Sequence, residues 1–337
     1  MTAAVTTAPA TVRVRRSQRS TRVGAPLLGL AVLVLAFLPF VAYTTVTSTL
    51  VTFFILLIMA TMWNLLAGFA GLVSVGQQAY VGLGAYAVLW MSDLGVQPFL
   101  GVFLAAVVCA VIAIPTSLLA FRLRGDYFAV GTWVIAEAYR LVVVRSDALG
   151  GGSGRSLTTL SELDQTLREA GTYWTALTVV VACVVGSYLL LRSRLGLALT
   201  AVRDNEVAAR SVGVDVTRAK RIVYLVSAAG CGAAGGLLLV STLNVRPDSV
   251  FSVQWSAYMI FIVVIGGIGH IEGALVGSVV FFALQQALAD YGSWYLVLVG
   301  LVAIAAALWL RGGLWGALSR RTGIRLFPIG YRVDRPS

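Results

Sequence analysis

The sequence predicts an all-α, polytopic membrane protein with about ten transmembrane helices, within a range of eight to ten, and a helical cytoplasmic segment between two of them. Three observations point there. Of the 337 residues 59% are hydrophobic and 12% charged, with a mean hydropathy of +0.90, which leaves too little polar surface to coat a soluble globule of that size. Apolar stretches of about 20 residues, the length a helix needs to cross roughly 30 Å of hydrocarbon, recur along the whole chain. The 25 Lys and Arg residues fall mostly between those stretches, so the net charge of +11 reports topology. A nucleic-acid surface would need its arginines together on a solvated face.

Crossings are expected at residues 25–43, 48–66, 72–91, 98–120, 127–144, 173–191, 222–241, 254–270, 273–289 and 294–310. An even number puts both ends on one side. That side then carries five arginines in the N-terminal arm, Arg122 and Arg124, seven basic residues from Arg192 to Arg221, and six from Arg311 onward, twenty in all. The other side keeps Arg145, Arg155, Arg168 and Arg246, while Arg140 lies within a helix. By the positive-inside rule the twenty face the cytoplasm. The division that follows is a basic arm at 1–24, a membrane domain at 25–311 with an external loop at 145–172 and a cytoplasmic segment at 192–221, and a cytoplasmic tail at 312–337. Arg13, Arg15, Arg16, Arg19 and Arg22 ahead of an apolar run from Pro26 to Tyr43 also resemble a secretory signal. The run is longer than a usual signal core and no Ala-x-Ala-like site follows, so it is expected to remain as the first crossing. Residues before Val23 are expected to be disordered and to lie against anionic lipid. Cys109, Cys183 and Cys231 are far apart in apolar runs, which speaks for packing rather than a disulfide or a metal site.

Some crossings depart from plain hydrophobic helices. Residues 64–86 read NLLAGFAGLVSVGQQAYVGLGAY, with Gly68, Gly71, Gly76, Gly82 and Gly84 among Asn64, Ser74, Gln77 and Gln78. Glycine permits close helix packing, and it also permits a helix to break where freed backbone lines a wet cavity. Two readings stand: a translocation pathway at Asn64, Ser74, Gln77 and Gln78, or packing with the amides satisfied by neighbouring helices. Residues 264–278 read VIGGIGHIEGALVGS, where Gly266, Gly267, Gly269, Gly273 and Gly277 suit a tight turn between two helices. It is no phosphate loop, because no strand, Lys or Ser/Thr stands in the required place. His270 and Glu272 are polar helix-end residues rather than a metal site or a catalytic pair. Glu137 is expected to be buried roughly 15 Å into its helix, which is expensive for an acid unless it is paired or wet. Arg140, at i+3, can pair with it. A structural ion pair and a pathway acid both remain open, and one buried acid is thin support for a proton relay.

The segment 192–221, RSRLGLALTAVRDNEVAARSVGVDVTRAKR, is long for a connector. Asp204 or Asn205 can cap a short helix through Glu206 and Arg210, Gly213 supplies a left-handed stop, and Thr217 can cap the next crossing. A short capped helix with small residues between charges suits a groove in a cytoplasmic partner. The candidate contacts are Arg203, Asp204, Glu206, Ala208, Ala209, Arg210 and Gly213; the alternative is a solvated loop.

Glu206, Ala208 and Ala209 followed by Gly213 resemble the coupling-loop motif of bacterial ABC importer permeases. The chain as a whole is similar to the permease family of branched-chain amino acid importers in four ordered blocks: 64–86, LRGDYFAVGTWVIAEAYRLV at 123–142, SRLGLALTAVRDNEVAARSVGVDVTRAK at 193–220, and 264–278. Gly150 to Gly154 also resembles a Gly-Gly-Ser stretch in that family's outer loop. Where this chain has Gln77 the family often has His, so a role resting on a histidine there does not carry over. The resemblance implies a non-enzymatic subunit with no catalytic residue, metal or cofactor of its own, multi-pass in the bacterial plasma (inner) membrane with both termini cytoplasmic. It implies as partners a second homologous permease, two cytoplasmic ATPase subunits that bind ATP and Mg, an external solute-binding protein, lipid, and no nucleic acid. This chain contains no Gly-x-x-x-x-Gly-Lys-Ser/Thr loop, which agrees with hydrolysis in another chain. The implied solute is a branched-chain or other neutral amino acid. The same architecture serves urea and short amides, and a proton-coupled carrier using Glu137 is the alternative from another class.

Overall fold

Helices dominate because the apolar stretches are rich in Leu, Ala, Val and Phe, and because backbone polar groups in hydrocarbon must be bonded within their own segment. A computed structural model describes residues 13–15, 19–41, 43–160, 164–288, 294–310, 312–322, 326–327 and 332–334. Strand β1 (Arg13–Arg15) precedes α1 (Arg19–Phe37) and α2 (Thr44–Asn64). A π-helical turn, Leu65–Phe69, continues α2; a non-helical stretch follows, and α3 (Gln78–Asp93) starts beyond it. Next come α4 (Pro98–Ala120), with Pro98 in its first turn where a missing N–H costs nothing, and α5 (Asp126–Val144). Strand β2 (Arg155–Ser156) leads to α6 (Gln165–Arg192), then α7 (Arg194–Asp204), α8 (Glu206–Ser211) and α9 (Val216–Thr242). The chain ends in β3 (Asn244–Val245), α10 (Pro247–Val250), α11 (Val253–Gly266), α12 (Ile271–Ala287), α13 (Trp294–Trp309), α14 (Gly313–Thr322) and β4 (Arg332–Asp334).

The protein is an all-α polytopic membrane protein. Each of the ten expected stretches falls on a helix, but among the described residues six helices are long and apolar enough to cross a membrane, or seven if the bent pair at α13 and α14 counts as one span. The shortfall has a physical reason. The chain breaks after α2 and again at 267–270, so α3 has 16 residues and α12 17, each less than the roughly 20 that a full crossing takes, while α11 reaches 20 only together with α10, from Pro247 to Gly266. The stretch expected to be helical from residue 72 becomes so only at Gln78.

Helices α2 and α9 run through the centre, with α9 packed on both α3 and α4. Contact there is backbone to backbone: a Cβ at Gly235 of α9 would run into the Val81 carbonyl of α3. In lipid such close approach supplies the dispersion contact that hydrophobic burial cannot. A buried Tyr80–Tyr224 hydroxyl pair, 3.0 Å apart, adds a hydrogen bond across the α3–α9 interface. At one end of the bundle β2 and β3 pair antiparallel, Arg155 with Val245 and Ser156 with Asn244. β1 pairs antiparallel with β4. The basic arm, expected to lack structure before Val23, therefore holds a strand and the first turn of α1. Residues 1–12 of that arm, with Arg16 and Arg311, lie outside the described residues.

Candidate functional site

The segment between α6 and α9 folds through a series of caps. Ser193 Oγ accepts the Leu195 N–H at 3.2 Å and starts α7. Asn205 Oδ1 accepts the Ala208 N–H at 3.0 Å and starts α8, so Asn205 rather than Asp204 is the cap. Gly213 ends α8 in the left-handed region at φ +86°, with its N–H on the Arg210 carbonyl at 3.0 Å and the Val214 N–H on the Ala209 carbonyl at 3.0 Å. Asp215 takes the cap expected of Thr217, accepting the Arg218 N–H at 2.9 Å, because α9 begins at Val216, one residue before Thr217.

Two cations hold α8 in place. Glu206 accepts from Lys220 Nζ at 2.6 Å and from Arg210 Nη2 at 2.8 Å. The Lys220 hydrogen bond, opposed by partial burial and aided by the charges of Lys220 and Arg210, holds the Glu206 carboxyl below the usual carboxylate range. Ala209 is buried against Val202 and Val216, so it anchors α8 inward and does not face a partner as expected. The outward surface carries Ala208, Arg210, and two apolar side chains that sequence reasoning missed, Val207 and Val212, 78% and 77% exposed. Six residues are too few for a period to mark them. Arg203, expected among the outward contacts, donates from Nη1 to the Gly68 carbonyl at 3.0 Å. Asp204 is exposed and pairs loosely with Arg203 at 3.5 Å.

Above this segment lie the two helix breaks. Asn64, Ser74, Gln77 and Gln78 are all buried inside the chain and line no open path in the single subunit. Their partners are backbone and hydroxyl groups. Asn64 Nδ2 donates to the His270 carbonyl at 2.8 Å and its Oδ1 accepts the Gly269 N–H at 2.9 Å. The Ser74 carbonyl accepts from Trp63 Nε1 at 2.8 Å and its Oγ accepts the Gly76 N–H at 3.2 Å, while Thr132 Oγ1 takes the Val75 N–H at 3.3 Å. Ser227 donates to Gln77 Oε1 at 3.4 Å, and Ser256 donates to Gln78 Oε1. These bonds follow the packing reading of the glycine-rich stretch, since irregular backbone at membrane depth must be bonded from neighbouring elements, except at Gln77, whose Nε2 is buried with no partner among the described residues. The glycines serve it. Gly71, Gly267 and Gly269 take φ of +68°, +127° and +79°. At Gly68, Gly76, Gly266 and Gly273 a side chain would meet backbone. Thr132, Ser227 and Ser256, small hydroxyl residues within apolar helices, carried no signal in sequence.

Glu137 is not buried. Its side chain is 47% exposed on the surface of the subunit, where Arg140 Nε bonds both carboxylate oxygens at 2.9 and 3.0 Å and Arg140 Nη1 reaches Asp248 Oδ1 at 2.6 Å. Distance along the sequence gives the depth of Glu137 in its helix but not which face packs. α5 packs through Phe128, Thr132, Ala136 and Val143, and Glu137 lies beside that stripe. Glu272 is buried instead, accepting the N–H groups of Leu326 and Phe327 at 2.9 and 2.7 Å.

The arrangement of breaks and caps coincides with a sequence match. The model of the family described as "Branched-chain amino acid transport system / permease component" matches residues 45–307, more than half of the chain. The chain belongs to this family. Two proteins named high-affinity branched-chain amino acid transport system permease protein LivM are similar to it. The one from Salmonella typhimurium is 28% identical over 278 residues, 74% of this chain and 65% of that protein. The one from Escherichia coli is 27% identical over 315 residues, 86% of this chain and 74% of that protein. A probable branched-chain amino acid transport permease protein LivH of Methanocaldococcus jannaschii is 28% identical over 232 residues, 64% of this chain and 70% of that protein. No solved structure matches the chain. As a permease component the chain is a multi-pass transport subunit, and all four sequence blocks lie within the matched region.

Proposed function

We propose that this permease component is the membrane subunit of an ATP-driven importer, with α8 as the helix that receives the motion of a separate cytoplasmic ATPase. The observation that carries the reading is the construction of α8: capped by Asn205, stopped at Gly213, tied down by Glu206 to Lys220, and bearing Val207 and Val212 on its exposed side. Exposed valines beside arginines on a fixed helix suit an apolar groove with an acidic rim. In this reading the assembly contains a second homologous permease, two ATPase subunits holding ATP and Mg, and an external solute-binding protein. The chain sits in a bacterial inner membrane with both termini cytoplasmic. ATP closes the ATPase pair, α8 moves with it, and the permeases alternate between two states whose different affinities for solute give the direction. The solute is a branched-chain or other neutral amino acid; the names of the LivM relatives say branched-chain amino acid of those proteins.

The test is uptake and ATP hydrolysis by the complex in liposomes. Gly213→Val and Arg210→Glu are expected to insert normally and to lower solute-stimulated hydrolysis and uptake about tenfold, within the usual range of coupling between sites. Unchanged activity in Gly213→Val overturns the assignment of α8. Uptake driven by a proton gradient with the permease alone would establish a carrier instead, and uptake of urea or acetamide in preference to leucine would change the solute class.

A further inference from the structure

Arg203 is the last residue but one of α7, and only Asp204 and Asn205 separate it from α8. Its side chain turns back into the membrane domain. There Nη1 donates to the carbonyl of Gly68, inside the π-helical turn that precedes the first break. A Cβ at Gly269, in the second break, would stand 3.1 Å from that same Nη1, and one at Gly71 would stand 3.8 Å from Arg203 Cγ. One guanidinium therefore lies against both breaks. Asn64 joins the breaks to each other, bonding the carbonyl of His270 and the N–H of Gly269 with the two ends of its amide. Gly68 is the residue that lets these groups meet, since a Cβ there would stand 2.6 Å from the Gly269 nitrogen.

We propose that Arg203 is the positioning residue that transmits displacement of α8 to the paired helix breaks at 71–77 and 267–270, with Asn64 keeping those breaks moving together. The inference rests on the reading of α8 as the helix that follows the ATPase. The mechanics follow from stiffness. α7 and α8 are joined at a single capped residue, Asn205, and Ala209 of α8 packs on Val202 of α7, so a shift of α8 moves the end of α7. A hydrogen bond from a charged donor is stronger than one between neutral groups, and it is attached here to backbone that is already outside a regular helix. Positive-φ glycines at 71, 267 and 269 flank that attachment, and residues of this kind absorb hinge rotation. Arginine suits the task because its fork keeps a donor on the Gly68 carbonyl as the angle changes, whereas a lysine offers a point charge.

The test places an environment-sensitive fluorophore on a cysteine at Val207, on α8, or at Ile268, which is 48% exposed in the second break. The complete complex is then given a non-hydrolysable ATP analogue. In the parent protein both labels are expected to respond. In Arg203→Ala, the Val207 response and co-purification of the ATPase are expected to persist, while the Ile268 response is lost and uptake falls about tenfold. Arg203→Lys, which keeps a donor, is expected to recover part of both. Asn64→Leu leaves Arg203 in place and is expected to lose the Ile268 response as well, so it carries the test if Arg203→Ala does not accumulate. An undiminished Ile268 response or parental uptake in Arg203→Ala overturns the link while leaving α8 as the coupling helix. Absence of a Val207 response in the parent overturns the coupling reading and the link with it.

Discussion

Glu206 illustrates how much of the candidate site depends on single groups. Its carboxylate bridges Arg210 on its own helix and Lys220 on the next, and these contacts lower its pKa below the ordinary value of about 4.3. A lowered carboxylate pKa contributes stability that is fully present above the ordinary value and is lost as pH falls through the folded one. Amide exchange protection of α8 is therefore expected to stay level between about pH 6 and 8 and to weaken below about pH 4.5, with Glu206→Gln abolishing the step. A step above pH 6 would assign the titration to another group. Gly213 acts through backbone alone, because a Cβ there would meet nothing within 4 Å while its φ is +86°. Asparagine tolerates the left-handed region, so Gly213→Asn is expected to keep α8 protected, whereas Gly213→Val costs about 1–2 kcal/mol locally. The Glu206 to Gly213 pattern and this glycine stop were legible in sequence. The Lys220 contact, 14 residues away, and the inward turn of Ala209 were not, since both follow from how α9 returns past α8.

At the scale of elements, apolar run length located the helices well, and α4 was expected at its observed bounds. Run length gives no warning of where backbone leaves the helix inside an apolar stretch. The glycines at 68, 71 and 76 did mark the first break, but the partners that satisfy it, Trp63 and Thr132, come from α2 and α5 and are settled by tertiary packing. Packing also sets the cost of filling a glycine. At Gly235 a methyl would meet the Val81 carbonyl, and because Gly84 makes an equally close approach to the Gly232 carbonyl, separating α3 from α9 to admit it would loosen that contact too. Gly235→Ala is expected to cost about 1–3 kcal/mol as overpacking and to lower the detergent-solubilised Tm. Gly186, in α6, has open space at its Cβ. There alanine should raise stability by roughly 0.5–1 kcal/mol through helix propensity. Equal Tm changes at the two sites would deny the close α3–α9 contact its role. The exposed ion group on α5 is the opposite case, in which sequence gave the i+3 pair but not Asp248. Because Arg140 serves two acids, adding Arg140→Gln to Glu137→Gln should recover little folded yield and leave Asp248 unpaired.

For the whole molecule, orientation in the membrane follows from which charges stand at which end. α9 has 27 residues, about 40 Å at 1.5 Å per residue, and it separates the capped segment at α7 and α8 from the β2–β3 pair. Arg192, Arg194, Arg203, Arg210, Arg218, Lys220 and Arg221 cluster at the first end, while Arg155 and Arg246 lie by the second. β1 and β4 pair antiparallel, so Arg13–Arg15 and Arg332–Asp334 lie together. An excess of Lys and Arg marks the cytoplasmic face, which in the proposed orientation is the end that carries α7 and α8. Single cysteines at Ser211, exposed at the end of α8, and at Ser153, exposed beside β2, report on the two ends. The native thiols should contribute little background, because Cys109 and Cys231 are buried and Cys183 is partly so. An impermeant maleimide is expected to modify the Ser153 variant in intact spheroplasts and the Ser211 variant only in inside-out vesicles. Modification of the Ser153 variant solely from the cytoplasmic side would invert the molecule, leaving α8 outside the cell and out of reach of any ATPase.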